Sequence, residues 1–474
     1  MKFFRVFYLF LGLIIATSCD EEKNEPNTNI TPKFGLTGYQ NVDQDYVSAQ
    51  RELVNKAIET ALVANKPVFV KIEGAWCPPC AELDHVIKNS EELKITLDQY
   101  EKVFIDEVFW ETSRFYDFMP LKAKVQWFPS ALLFDPVSQQ WSPYYYLPME
   151  NTKALIGDLK HFAAEREFLQ RHKEIMDQIL TPEEIPEDQQ EELSYATLNY
   201  IYNLSFRQGA KSALQAIKEL TATLISKGLD PEDMGLSSTY TDITIHGTLA
   251  DPVQVDEYIQ LALDNQNKSN QESNQDPLSE VEKFKIIQKH EIAKIQNILV
   301  KGGVKEAASK CDQSFLAMEE LLAKAESLDE VDADKKLNIK TLWQLGCLSL
   351  KRRLGDNKAA AKAKTIAEEL LAKTDLEEKP LGAKNISRFF WISNSLDEAA
   401  EYLQIYANEL NIRRQKTVDS LTTKLNESDN NIELKDELEI RINLKERQEK
   451  AYKLMIDRLK SGNDHPALAA DGQR

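Results

Sequence analysis

Hydrophobic and polar positions in the N-terminal part of the chain switch between helical and strand-like spacing. Residues 47–64 carry an apolar stripe at three- and four-residue intervals, which predicts an amphipathic helix. A second helix is predicted from Cys77, and residues 151–178 return to the helical period. Short apolar runs predict four strands, at residues 67–72, 102–105, 130–135 and 141–147. The order helix, strand, helix, strand, helix, strand, strand, helix predicts an α/β domain in which helices cover both faces of a mixed sheet.

The rest of the chain, from about Pro182, has the helical period almost throughout. Residues 343–372 resemble the helix-turn-helix pair of a tetratricopeptide repeat, although the sequence has no fixed repeat period. The last hundred residues are highly charged around a thin apolar seam, which predicts a long helical hairpin. The sequence therefore predicts an all-α region at 181–474, built from helix hairpins that resemble such repeats.

The N-terminal residues have the pattern of a secretory signal. Lys2 and Arg5 precede an apolar run at 6–16, which is too short to span a bilayer because a spanning helix needs roughly 20 residues. The run ends in the sequence ATSC at positions 16–19, which resembles the lipobox of bacterial lipoproteins. The resemblance implies an exported lipoprotein whose signal peptide (1–18) is removed and whose Cys19 is acylated and holds it on a membrane. A signal peptide that is cut elsewhere, with an incidental Cys19, is the alternative.

The segment after Cys19 is acidic and polar. Residues 20–29 have no apolar periodicity, so a flexible tether is predicted at 19–45. An acidic run in this place also resembles the surface-export signals of Bacteroidetes lipoproteins. The expected location is therefore the cell envelope, facing the periplasm or on the cell surface.

Composition and charge narrow the classes of function. Hydrophobic residues make up 42% of the chain and charged residues 28%, as in ordinary globular proteins. The net charge of −19 argues against nucleic-acid binding, which depends on cations that meet phosphates. Five cysteines in 474 residues are too few for a scaffold held by disulfides. Cys311 and Cys347, in segments of helical character, are predicted to be small buried core residues.

One pair of cysteines has the spacing of redox chemistry. The sequence WCPPC at positions 76–80 follows a predicted strand and opens a predicted helix. Two cysteines three apart can close a small disulfide ring there, and the free N–H groups and the dipole of the first turn favour an anionic sulfur at Cys77. Cys77 would attack a substrate disulfide as the thiolate, and Cys80 would resolve the mixed disulfide. The prolines suit a first turn, where an N–H is not needed.

This part of the chain resembles the thioredoxin family over about residues 47–173. The similarity lies in the helix before the first strand, in the sequence WCPPC (also that of tryparedoxins), and in the sequence VQWFPS at 125–130, placed like the family's cis-proline. The resemblance implies a thioredoxin-like domain at 46–180 and thiol–disulfide oxidoreductase activity on protein thiols or disulfides, with an unidentified upstream redox partner. It also implies that Pro129 is cis beside the disulfide, that Phe128 offers backbone groups to a substrate strand and that Trp76 contacts the substrate.

Two features depart from the family pattern. Thioredoxin has a buried Asp under its active site, whereas this sequence has Lys71 there, with Glu73 on the same strand face. Either side chain could move protons for Cys80, and a plain surface or packing charge is the favoured alternative. The stretch at 102–124 is longer and more aromatic than the family minimum, and it either covers the active site or packs on the sheet.

Metal binding and pure interaction are the alternatives to redox chemistry. A zinc site normally needs four ligands, and the WCPPC motif supplies two. Cys311 and Cys347 do not form a second close pair in sequence, and His85 falls on a different helix face from either thiol of the motif. Copper delivery by proteins of this kind usually needs a well-placed histidine. The sequence therefore predicts no metal and no cofactor beyond the Cys77–Cys80 disulfide. The second hypothesis is an anchored interaction protein, in which the helical region binds a partner and the α/β domain is a platform.

Overall fold

The described part of the chain consists of one small sheet and a long succession of helices. The computed structural model describes residues 44–461, with side chains from residue 53 onward. Gaps in this description fall at residues 75–76, 108–128, 150, 183, 273–276, 301–303, 329, 331–339, 342, 349, 352–353, 355, 373–382, 385, 388–389, 391–395 and 428–430.

The four predicted strands are confirmed, and their ends move by no more than a few residues. They pair in the order β2-β1-β3-β4, with β1 parallel to β2 and antiparallel to β3, and with β3 antiparallel to β4. A parallel pair needs a crossover connection, which here contains the helices α2 and α3. The strands are β1 (Val68–Gly74), β2 (Glu101–Glu107), β3 (Ser130–Asp135) and β4 (Gln140–Tyr144), and the first helices are α1 (Gln44–Ala64), α2 (Pro78–Asn89) and α3 (Glu91–Leu97).

Helices cover both faces of this mixed sheet, as the order of elements predicts. Val70 and Ile72 of β1 pack on one face against α1, for example against Ala61. Phe69 belongs to the core on the other face, together with Leu83 of α2 and residues of α3 and α4 (Thr152–Glu165). Side chains alternate along a strand, so Lys71 and Glu73 share the face of Phe69 and point toward α2.

The helix predicted at 151–178 is two helices, α4 and α5 (Leu169–Leu180). The break follows Glu165, because Arg166 has a left-handed backbone with φ of 59°. Its guanidinium donates a hydrogen bond of 2.9 Å to the carbonyl oxygen of Asn65, at the end of α1. Phe168 then enters the core of the sheet, fully buried. The helix predicted between β2 and β3 falls on residues 108–128, outside the described residues.

Helices make up most of the described residues from 187 to 460, and each helix between residues 187 and 327 packs against the next. The predicted hairpin at the end of the chain is confirmed, because the two last helices pack along their length. The likeness to tetratricopeptide repeats stays a prediction. The helices are α6 (Glu187–Gln208), α7 (Ala210–Ser226), α8 (Leu236–Ala250), α9 (Val255–Glu272), α10 (Glu280–Val300), α11 (Val304–Ser327), α12 (Asn357–Ala372), α13 (Leu396–Glu427) and α14 (Ile432–Lys460).

Two contacts in this region depend on single residue types. Gly247 of α8 lies against Tyr258 of α9, and a Cβ atom at this glycine would lie 2.3 Å from the ring carbon Cζ. Asn199 of α6 accepts a hydrogen bond from the backbone N–H of Tyr146 and donates one to its carbonyl oxygen, at 3.1 and 2.9 Å. The first contact brings two helices close together, and the second fixes α6 to the segment that follows β4.

Cys311 and Cys347 are buried, as predicted, but they are also bonded to each other. Cys311 lies in α11, Cys347 lies in the helical segment 343–348, and a disulfide joins them across a sequence separation of 36 residues. The burial was predicted, and the bond between the two sulfurs was not. Nothing in the local sequence marks the second pair, since only the packing of two helices brings the sulfurs together.

Candidate redox site

Cys77 caps the N-terminus of α2, and its disulfide to Cys80 closes across the first turn. The Cα atoms are 5.3 Å apart, and Cys77 has an extended backbone, with φ of −93° and ψ of 110°. Its sulfur accepts the backbone N–H of Cys80 at 3.1 Å. Pro78 and Pro79 occupy the first turn of the helix. The predicted helix start is confirmed, and the first turn directs an N–H dipole at the sulfur of Cys77.

Both cysteines are shielded from solvent in this disulfide form. Cys77 exposes 2% of its surface, and Cys80 exposes none. Cys77 is thus the more accessible of the two, by a small margin. Thiol–disulfide exchange needs a direct approach to sulfur, and this form of the protein leaves little of Cys77 open to such an approach.

Trp76, Phe128 and Pro129 are the residues predicted to contact a substrate, and of these the structure describes Pro129. Ser130 pairs with Ile72 in the antiparallel β1–β3 ladder, so Pro129, which is buried, lies at the end of the sheet from which β1 leads to Cys77. Trp76 and Phe128 fall outside the described residues, and so does the geometry of the peptide bond between Phe128 and Pro129. The cis bond therefore stays a prediction.

Four charged side chains meet on the face of the sheet that α2 covers, and together they form what we call the charge ring. Lys71 Nζ lies 2.5 Å from Glu73 Oε2, and it also contacts the carboxylate of Asp84. The two terminal nitrogens of Arg447 reach the same two carboxylates, at 3.0 Å from Glu73 Oε1 and at 2.9 Å from Asp84 Oδ2. Positive and negative groups alternate around the ring, and their formal charges sum to zero.

Lys71, Glu73 and Arg447 of the ring are largely buried, whereas Asp84 is 41% exposed, and the ring lies next to the cysteine pair along the chain. The side chains of Lys71 and Glu73 are 0% and 3% exposed, so neither is a surface charge, and a packing charge remains the favoured alternative to proton transfer. Asp84 follows Cys80 by four residues, which puts both on one face of α2. Buried charges persist only when they are paired, and each charge of the ring has two partners of opposite sign. Whether Lys71 or Glu73 transfers protons for Cys80 stays a prediction.

Sequence reasoning missed Asp84 and Arg447. Asp84 reads as an ordinary polar position of a helix, and Arg447 is 363 residues further along the chain. A second ion pair marks the same contact: Lys88 of α2 lies 3.0 Å from Glu439 of α14, and this hydrogen bond lowers the pKa of Glu439. The order of the two contacts shows that α14 runs antiparallel to α2.

Neither a cluster of metal ligands nor a membrane-spanning helix occurs among the described residues. Among them, no group of three or more His, Cys, Asp or Glu side chains is close enough to hold a metal ion. His85 instead shares a hydrogen bond of 2.9 Å with Asn89, one turn further along α2. In the same part of the chain, no helix is both long and apolar enough to cross a membrane.

Comparison of the chain with models of protein families, with curated proteins and with solved structures found no match.

Proposed function

We propose that the protein is an extracytoplasmic thiol–disulfide oxidoreductase and that residues 46–180 form a thioredoxin-like domain. The observation that carries the proposal is the disulfide between Cys77 and Cys80 at the start of α2, directly after the strand at the centre of a mixed sheet. A thiolate at Cys77 would be stabilised there by the first-turn N–H groups. Pro129, at the same end of the sheet, fits a residue that contacts the substrate, beside Trp76 and Phe128.

In the reductive direction, the thiolate of Cys77 attacks one sulfur of a substrate disulfide. An S–S bond forms between Cys77 and the substrate, and the other substrate sulfur leaves as a thiolate and takes up a proton. Cys80 then loses its proton, and its thiolate attacks Cys77 Sγ. The Cys77–Cys80 bond forms as the mixed disulfide breaks, which releases the second substrate thiol. A protein dithiol of a redox partner reduces the enzyme again by the same steps in reverse.

The proposed location outside the cytoplasm rests on two observations. The N-terminal residues have the signal and lipobox pattern that ends at Cys19. The chain also holds a buried disulfide between Cys311 and Cys347, and such bonds persist mainly in oxidising compartments. Attachment to a membrane through an acylated Cys19 belongs to the same proposal.

An insulin-reduction assay with dithiothreitol tests the proposal. The full chain should accelerate insulin precipitation, and Cys77→Ser should abolish the acceleration because the attacking sulfur is gone. When dithiothreitol is left out, reduced Cys80→Ser should accumulate a covalent complex with insulin, and later addition of dithiothreitol should release it. The matched control is Cys311→Ser/Cys347→Ser, which removes the other disulfide and should keep the activity. A Cys77→Ser variant as active as the wild type would refute the proposal.

The shielding of Cys77 favours a second candidate function. If its 2% exposure also holds in the reduced protein, substrates cannot reach the sulfur. The α/β domain would then be a platform, and the helical region would bind a partner. In that case the wild type and Cys77→Ser are equally inactive toward insulin. Slow insulin reduction by the wild type that Cys77→Ser lacks would instead support the oxidoreductase.

A further inference from the structure

The charge ring is assembled from distant parts of the chain. Lys71 and Glu73 come from β1, the strand that leads into the cysteine motif, and Asp84 comes from α2, the helix that the motif opens. The fourth member, Arg447, comes from α14, near the end of the described residues. A helix that the sequence assigns to a separate region thus supplies a charge to the redox domain.

We propose that Arg447 is a positioning residue of the Cys77–Cys80 pair, which closes the charge ring and thereby sets the thiolate content of Cys77 when α14 is docked on α2. The proposal rests on the proposed function, since it concerns how that site is tuned. It gives the helical region a part in the redox chemistry, beyond that of an attached binding module.

The geometry of Arg447 suits this role better than that of a surface ion pair. Its side chain is 11% exposed, and its forked guanidinium spans the carboxylates of Glu73 and Asp84. A planar fork holds two carboxylates at fixed positions, which a flexible lysine ammonium does less well. The two carboxylates belong to the strand before the motif and to the helix after it, so Arg447 joins the elements on either side of Cys77.

Charge balance gives the effect a sign. With all four members present the ring is neutral, and removal of Arg447 leaves one excess negative charge, shared between the buried Glu73 and the 41% exposed Asp84. A negative charge near a thiol disfavours its thiolate, so Cys77 should need a higher pH to ionise. Removal of the charge of Glu73 leaves one excess positive charge and should have the opposite effect. At an effective dielectric constant of about 20, one such charge shifts a titration by roughly 0.5–1 pH unit.

The test is the pH–rate profile for alkylation of Cys77 by iodoacetamide in the full chain. Reduced protein with Cys80→Ser, which leaves Cys77 as the motif's only thiol, is labelled between pH 5 and pH 10, and the Cys77 peptide is quantified by mass spectrometry. We expect Arg447→Ala to raise the midpoint of the profile by about 0.5–1 pH unit and Glu73→Gln to lower it by a similar amount. The double variant Glu73→Gln/Arg447→Ala is neutral again and should return to the wild-type midpoint.

Two control variants separate the ring from other effects of α14. Arg441→Ala removes an arginine of the same helix that pairs within the helix with Glu437, at 3.4 Å, and it should leave the midpoint unchanged. Glu439→Ala removes the exposed contact between α14 and Lys88 but leaves the ring intact, so it should also have no effect. If Arg447→Ala does not fold, Glu73→Gln and the double variant decide the sign.

Opposite shifts for the two single variants, with restoration in the double variant, support the proposal. Shifts in the same direction, or a folded Arg447→Ala variant with the wild-type midpoint, overturn it. The profile requires no turnover. A wild type that fails to reduce insulin would therefore refute the proposed function without deciding the role of Arg447.

Discussion

The helical region should lose stability in mild acid because of His290, which α10 buries against α8. The side chain is 0% exposed, and the hydroxyls of Thr244 and Thr248 lie 3.3 and 3.0 Å from its two ring nitrogens. Burial, with a smaller contribution from the charge of Lys289, lowers the pKa of His290 from 6.5 to about 3. The imidazole is therefore neutral in the folded protein between pH 5 and pH 7.5.

The size of the effect follows from proton linkage. Between pH 6.5 and about 3, the unfolded chain binds a proton at His290 that the folded chain does not bind, so stability rises with pH. The contribution of the neutral imidazole is complete above pH 6.5 and is lost as the pH falls through this range. At about 1.4 kcal/mol per pH unit, a change from pH 7.5 to pH 5 should cost about 2 kcal/mol. This corresponds to roughly a thirtyfold loss of protection against local unfolding.

Hydrogen exchange measured by mass spectrometry on peptides from α8 and α10 tests the prediction without assuming a two-state protein. After correction for the intrinsic exchange rate, protection in the wild type should fall between pH 7.5 and pH 5. His290→Gln should be less stable at pH 7.5 but should lose much less protection over the same range. His161→Gln, in the half-buried middle of α4, is the matched control and should follow the wild type. Equal pH dependence in the wild type and in His290→Gln would refute the reasoning.

Three further predictions concern packing, covalent structure and substrate docking. Gly247→Ala should destabilise the protein by about 1–3 kcal/mol in thermal unfolding, because its methyl group meets the buried ring of Tyr258. Gly157→Ala, where the nearest neighbour of the added methyl group is 3.7 Å away, should be neutral or stabilising. A Cys311→Ala/Cys347→Ala variant, which lacks the second disulfide, should have a free energy of unfolding lower by about 2–4 kcal/mol. Two free thiols at these positions in the unreduced, denatured wild type would show that the disulfide does not form. Pro129→Ala should slow reduction of protein disulfides roughly ten- to hundredfold and that of a small aromatic disulfide less, and equal losses would argue against a docking role.

Strands β1 and β3 were predictable because they are buried on both faces and consist mostly of apolar residues. Strand β3 has the predicted bounds of 130–135, and all six of its residues are buried. The division of the helix at 151–178 was not predictable, because no glycine or proline marks it. Arg166 adopts the left-handed conformation instead, and its hydrogen bond to Asn65 comes from an element about a hundred residues earlier. Local pattern thus located the elements, and long-range contacts determined where one of them breaks.

The candidate site also has one part that follows from local sequence and one part that depends on long-range packing. The spacing of Cys77 and Cys80 at a helix start needs only five consecutive residues, so the sequence alone predicts the reactive pair. The groups that set its electrostatics cannot be found in this way, because Arg447 and Asp84 meet only when two helices far apart in the chain pack together. Arg447 pairs with both carboxylates of the ring, so undocking of α14 would leave Lys71 to balance two negative charges alone. A change that moves α14 would therefore also change the charge next to the cysteines, and this gives the helical region a physical means to influence the redox pair.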